Sequence, residues 1–223
     1  KFFCVQLDTW LEQALAHRKQ QNLFRELRNS TGLVDFCSND YLGLAHSEEL
    51  YDQIQERCRE LAIRQNGSTG SRLLSGNSEF TEALEHKLAS IFKCEAVLIL
   101  NSGYTGNLAI FSCIPQKNDT IIFDELAHAS IKDGARLSLS KRFSFRHNNL
   151  NDLESKIKRA AGRVFIAVES VYSMDGDECP LSDLTALANR YGASVILDEA
   201  HSTGIQGENA SGLTTTLEIE KNI

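Results

Sequence analysis

The stretch SVILDEAHSTG, residues 194–204, places two acids and an imidazole side by side at the end of an apolar run. Asp198-Glu199-Ala200-His201 spells the box that marks many nucleic-acid-dependent ATPases. That chemistry also needs a Gly-x-x-x-x-Gly-Lys-Ser/Thr loop to cradle phosphates, and the sequence contains no Gly-Lys dipeptide. With 30 acidic against 23 basic side chains, and the basic ones scattered, there is no electrostatic footprint for a polyanion. Nucleic acid is therefore not an expected partner, and the four letters must serve other chemistry.

From position alone, Asp198 is either a polar strand terminus facing solvent or a buried acid that holds a charged ligand nitrogen. Strand alternation would put Ala200 on the same face, leaving room for a flat ring over a small residue. His201 taken alone reads as a structural histidine. Three other stretches end apolar runs in the same way. In LNSGYTGNLAI (100–110), Ser102, Gly103 and Tyr104 open a helix whose first N–H groups make an anion site, or else form a plain turn. In ELAHASIKDG (125–134), His128 either starts a helix or projects into a crevice. ESVYSMDGDECP (169–180) brings Ser173; its Asp175-Gly176-Asp177 lacks the spaced oxygens of a calcium loop, so no metal site is expected.

The elements that must position these residues follow from periodicity. Apolar runs at 96–100, 120–123, 142–145, 164–169 and 194–198 read as strands. Helical spacing recurs over 6–28, 47–63, 79–92, 104–113, 128–139, 150–161 and 181–191, with Gly162 and Gly192 as stops and Asp152 and Ser182 at helix starts. Residues 66–77, NGSTGSRLLSGN, form a loop by composition. Near-continuous apolar strands alternating with helices predict an α/β fold with a mainly parallel sheet covered on both faces. Ligands of such sheets bind outside the carboxyl ends of the strands, which is where Ser102, His128, Ser173 and Asp198 fall. The chain divides into an N-terminal helix and arm, 1–45, and a large domain, 46–223.

No apolar run approaches the length of a membrane span, so no membrane partner is expected. Six cysteines at 4, 37, 58, 94, 113 and 179, with no Cys-x-x-Cys pair, suit reduced and mostly buried thiols in a cytoplasmic protein.

FCSNDYLGLA, GSTGSRLLSGN, SGYTGN, LAHAS, ESVYSMDGD and LDEAHSTG occur in that order between residues 36 and 204. Together they resemble the α-oxoamine synthases, pyridoxal-phosphate enzymes of fold type I. The resemblance implies a large domain of that fold with pyridoxal 5′-phosphate as cofactor. It implies that Asp198 pairs with the ring nitrogen, that His128 and Ala200 flank the ring, that His201 and Ser173 face its phenolic oxygen, and that Ser102, Gly103 and Tyr104 hold the phosphate. Arg25, in the N-terminal helix, and Asn39 match family positions near the substrates. Activity would be decarboxylative condensation of an amino acid with an acyl-CoA. Alanine and a pimeloyl thioester, as in biotin biosynthesis, stand ahead of glycine- or serine-using members or a non-catalytic subunit. A cytoplasmic homodimer is implied as well.

The family's cofactor lysine stands about thirty residues past the histidine of the Asp-x-x-His motif, in a Thr-x-x-Lys-x-x-Gly context. The sequence stops 22 residues past His201, and EIEKNI does not match. Lys221 is therefore not given that role. The expectation is a large domain cut before its lysine, which belongs beyond Ile223, and before the C-terminal domain. By itself, such a chain should not catalyse.

Overall fold

The structure is a computed structural model that describes residues 7–27, 31–64 and 66–216. The chain falls into two compact units, Lys1–Ala62 and Ile63–Ile223. In the first, α1 (Leu7–Gln20) and α2 (Glu48–Glu60) are the helices. The Ser47 hydroxyl caps α2 by accepting the Leu50 N–H at 3.2 Å. The helix expected over 6–28 ends early, because Asn22 turns left-handed at φ 56° and the Leu23 N–H closes back on Arg18. Arg25 therefore lies beyond that helix, on exposed chain, and Asn39 is also exposed.

Early in the second unit the stretch 66–77, expected as a loop, holds a π-helical turn at Arg72–Gly76, and Thr69 Oγ1 donates to the Ser75 carbonyl at 2.8 Å. Then come α3 (Glu79–Ile91), α4 (Gly103–Cys113), β1 (Thr120–Asp124), α5 (Ala129–Leu137), β2 (Lys141–Phe145), α6 (Leu150–Ile157), β3 (Val164–Glu169), α7 (Leu181–Tyr191), β4 (Ser194–Asp198) and the short α8 (Leu213–Thr216). All four strands are parallel, in the order β2-β1-β3-β4. Asn149 caps α6 through the Asp152 N–H, leaving Asp152 in its first turn, and Gly192 ends α7 at φ 63°.

Residue alternation along the strands sorts the core into two layers. Ile122, Ile166 and Val168 face Leu153, Leu181 and Leu184 of α6 and α7, whereas Ile121 and Ala167 face Phe111, Ile131 and Ala135 of α4 and α5. Among the described residues no helix is long and apolar enough to cross a membrane.

Two further expectations are corrected. AVLIL (96–100) is not a strand. Its apolar pattern matches that of β3, but no described strand pairs with it, and the Ile99 N–H goes instead to Glu85 at 2.7 Å. The cysteines are not mostly buried. Of those described only Cys179 is, because Cys37 and Cys94 sit in irregular chain and Cys113 ends α4. Cys4 lies outside the described residues, as does Lys221.

The contact of α4 with α5 depends on Gly134. A Cβ there would stand 2.8 Å from the Asn107 carbonyl oxygen and 2.9 Å from Phe111 Cβ. Gly134→Ala should push the helices apart and cost about 2 kcal/mol in urea unfolding despite alanine's better helix propensity. An unchanged or raised stability would show that the helices yield freely.

Candidate functional site

The carboxyl ends of β1, β3 and β4 finish in Asp124, Glu169 and Asp198, and Glu169 is the register partner of Asp198. These apolar strands stop where a polar side chain can reach the helix starts above the sheet. The alternation expected to carry Ala200 onto the face of Asp198 does not extend that far, because β4 ends at Asp198. The chain turns there, and Asp198 Oδ1 accepts the Ala200 N–H at 3.0 Å. Ala200 is exposed and His201 half-buried in that turn. Glu199 points elsewhere and accepts the Leu213 and Thr214 N–H groups at 2.6 and 3.2 Å, capping α8.

Asp198 Oδ2 receives Asn107 Nδ2 at 2.8 Å, and the same amide nitrogen reaches Ser130 Oγ at 2.9 Å. Ser130 Oγ lies 2.7 Å from His128 Nδ1, and the Ser130 N–H donates to that ring nitrogen at 3.2 Å. His128 thus caps α5 with its own ring. Its backbone N–H donates to Glu169, which also takes a backbone hydrogen bond from Ser173. Burial pushes the Glu169 carboxyl up to about 7. Its hydrogen bond with His128 opposes this, and the charge of Asp198 adds to it.

At the start of α4 the Ser102 hydroxyl accepts the Thr105 N–H at 3.1 Å. Space is open around Gly103, with nothing within 4 Å of where a Cβ would stand. Tyr104 meets His128 edge-on, with ring centroids 6.0 Å apart at 83°. Its hydroxyl donates to Asp133 of α5, which raises the Tyr104 pKa and lowers that of Asp133.

The hydrogen bonds and ring contacts connect Asp198, Ala200, His128, Tyr104 and Ser173. Ser102 and Gly103 open α4 above them, and His201 sits in the turn after β4. Arg25 and Asn39 belong to the other unit. Asn107, Ser130 and Glu169 were not among the expected site residues. An amide at the start of the apolar stretch NLAIF of α4 and an acid closing the apolar run VFIAVE were the available signals.

This donor set fits pyridoxal phosphate. Asp198 accepts from two neutral donors, the Asn107 amide and the Ala200 N–H, and keeps its charge for a ring nitrogen. The first turn of α4 offers N–H groups to an anion beside an open glycine.

The family model for aminotransferase class I and II matches residues 31–222. The chain is 39% identical over 222 residues to the 8-amino-7-oxononanoate synthase 2 of Bacillus subtilis (strain 168), covering 93% of this chain and 56% of that protein. The serine palmitoyltransferase of Sphingomonas wittichii superposes with a TM-score of 0.80 at 26% identity, covering all of this chain and 59% of its own. An 8-amino-7-oxononanoate synthase of Francisella tularensis superposes at 0.68 with 30% identity, covering 84% and 51%. The chain spans little more than half the length of the curated relatives it matches. It belongs to the aminotransferase class I and II family, and its cofactor is pyridoxal 5′-phosphate.

Proposed function

We propose that this chain serves an α-oxoamine synthase, joining an amino acid to an acyl-CoA thioester with loss of CO₂. The observation that carries the reading is the hydrogen-bonded path from Asp198 through Asn107 and Ser130 to His128, which supports a flat, cationic heterocycle at the carboxyl ends of the strands. When bound, pyridoxal phosphate supplies an electron sink for charge developing at the amino acid's α-carbon.

The chain's own residues do the positioning. Asp198 holds the proton on the ring nitrogen. His128 lies on one ring face and Ala200 on the other. Ser173 and His201 direct hydrogen bonds at the phenolic oxygen, and the Ser102–Tyr104 backbone binds the phosphate. Arg25 meets the acyl substrate's carboxylate and Asn39 the amino acid. The names of the Bacillus and Francisella relatives support alanine and a pimeloyl thioester. The high structural likeness to serine palmitoyltransferase supports a serine-using alternative. A cytoplasmic homodimer belongs to the same reading.

The protein purified from its source should be incubated with pyridoxal phosphate, reduced with borohydride, weighed intact and mapped. One cofactor on a single lysine, with CoA released from pimeloyl-CoA about tenfold faster with alanine than with glycine or serine, is the expected result. Equal or faster release with serine or glycine would overturn the alanine assignment. Failure to take up the cofactor would overturn the whole reading.

A further inference from the structure

Asn107 and Ser130 touch neither cofactor nor substrate in the roles given above, yet their side chains form a hydrogen-bond path between Asp198 and His128. The orientation of the amide follows from chemistry. A carboxylate oxygen only accepts, so the edge of Asn107 that faces Asp198 is the NH₂. The same NH₂ donates its other hydrogen to Ser130 Oγ. With one lone pair so used, the Ser130 hydroxyl hydrogen is free to point at His128 Nδ1, 2.7 Å away. The Ser130 N–H points at that nitrogen too. Nδ1 is therefore an acceptor, and the ring's proton belongs on Nε2. Ser130 is fully buried, and the glycine at 134 lets α5 lie close enough to the Asn107 backbone for the path to close.

We propose that Asn107 and Ser130 are positioning residues that couple the orientation of Asp198 to the tautomer of His128, so that the group at the ring nitrogen and the group on the ring face are set together. The coupling is a property of the hydrogen bonds; its use in cofactor binding rests on the proposed function. Removing Asn107 frees the Ser130 hydroxyl to rotate its hydrogen away from the ring, which admits the Nδ1–H form beside the weaker Ser130 N–H contact and lets the Asp198 carboxylate turn.

The test has two separable readouts. Long-range ¹H–¹⁵N spectra of the histidine rings, recorded without cofactor, report the His128 tautomer. The wild-type chain should show Nε2–H alone, and Asn107→Ala should show both tautomers, whereas the double variant Asn107→Ala/Ser130→Ala, which keeps the backbone N–H on Nδ1 and offers no hydroxyl to accept from the ring, should return to Nε2–H. A His128 spectrum unchanged in Asn107→Ala would overturn the coupling. Titration with pyridoxal phosphate, followed by absorbance, should then show binding about tenfold weaker in Asn107→Ala, the loss expected for a hydrogen bond to a charged group. Equal affinity would overturn the coupling's part in cofactor binding. A wild-type chain that takes up no cofactor would overturn the functional reading, and the cofactor-free spectra would still decide the coupling.

Discussion

Glu169→Gln should leave stability at about pH 4 unchanged and raise it by about 3 kcal/mol at about pH 8. Glu169 is 2% exposed at the end of β3. Burial pushes its carboxyl up to about 7, the hydrogen bonds from His128 and Ser173 oppose this, and the charges of Asp198 and Asp124 reinforce it. For an acid whose folded-state pKa lies above its unfolded value, the folded state is favoured fully below the unfolded value. That advantage is lost as pH rises through the folded value. The window runs from 4.5 to about 7. Below it both states keep the proton; above it the unfolded chain ionises freely while the folded one must bury a charge beside Asp198. Glutamine retains an oxygen for the His128 N–H and cannot ionise. Urea-unfolding curves of both proteins across that range measure the difference. A gap that stays constant with pH would mean that Glu169 does not titrate within the window.

The same acid illustrates what the sequence could and could not convey. Strands β1, β3 and β4 were legible because a parallel strand covered on both faces is written as an apolar run, and the rule for such sheets pointed at the residues just past each run. AVLIL carries the same writing, and nothing in its own letters says whether a neighbour will be there to pair with it. The end of α1 was missed because its leucine spacing resumes at Leu23, while the left-handed turn at Asn22 is decided by backbone geometry. His128 and Asp198 could be found as isolated strand-end residues. Their connection could not, since Asn107 and Ser130 lie 23 positions apart and meet only because α4 and α5 pack at Gly134. Glu199 and Asp198 are neighbours in sequence with opposite uses, one capping α8 and one facing the crevice, and that division is set by where the chain turns after β4.

His147→Ala should cost about 3 kcal/mol at about pH 5.5, and the loss should shrink as the pH is raised. His147 follows β2 in a stretch, RHNN, that the sequence presents only as a connection between a strand and a helix. In the fold its Nδ1 lies 2.9 Å from Asp124 Oδ1 and its Nε2 2.7 Å from Asp177 Oδ2. Carboxylate oxygens only accept, so both ring nitrogens must donate and the ring is an imidazolium. Burial alone would lower its pKa, but the hydrogen bonds it donates to Asp124 and Asp177 outweigh this and raise it. Asn148, left-handed at φ 51°, adds its N–H to Asp124 and its amide to Asp177, and the Tyr172 ring stands edge-on at 4.4 Å. One cation thereby ties together the segments that follow β1, β2 and β3, the first and last of which carry His128 and Ser173. Asp124 is wholly buried, so deleting the cation strands a charge with only neutral donors. A histidine with a raised pKa contributes stability that is complete below 6.5 and is lost as pH climbs through its folded value. The difference between wild type and variant should therefore be widest on the acid side, whereas His147→Gln, which donates without charge, should recover part of it only at alkaline pH. Unfolding curves for the three proteins at about pH 5.5 and pH 9 distinguish this from simple loss of packing, for which the gap would be the same at both.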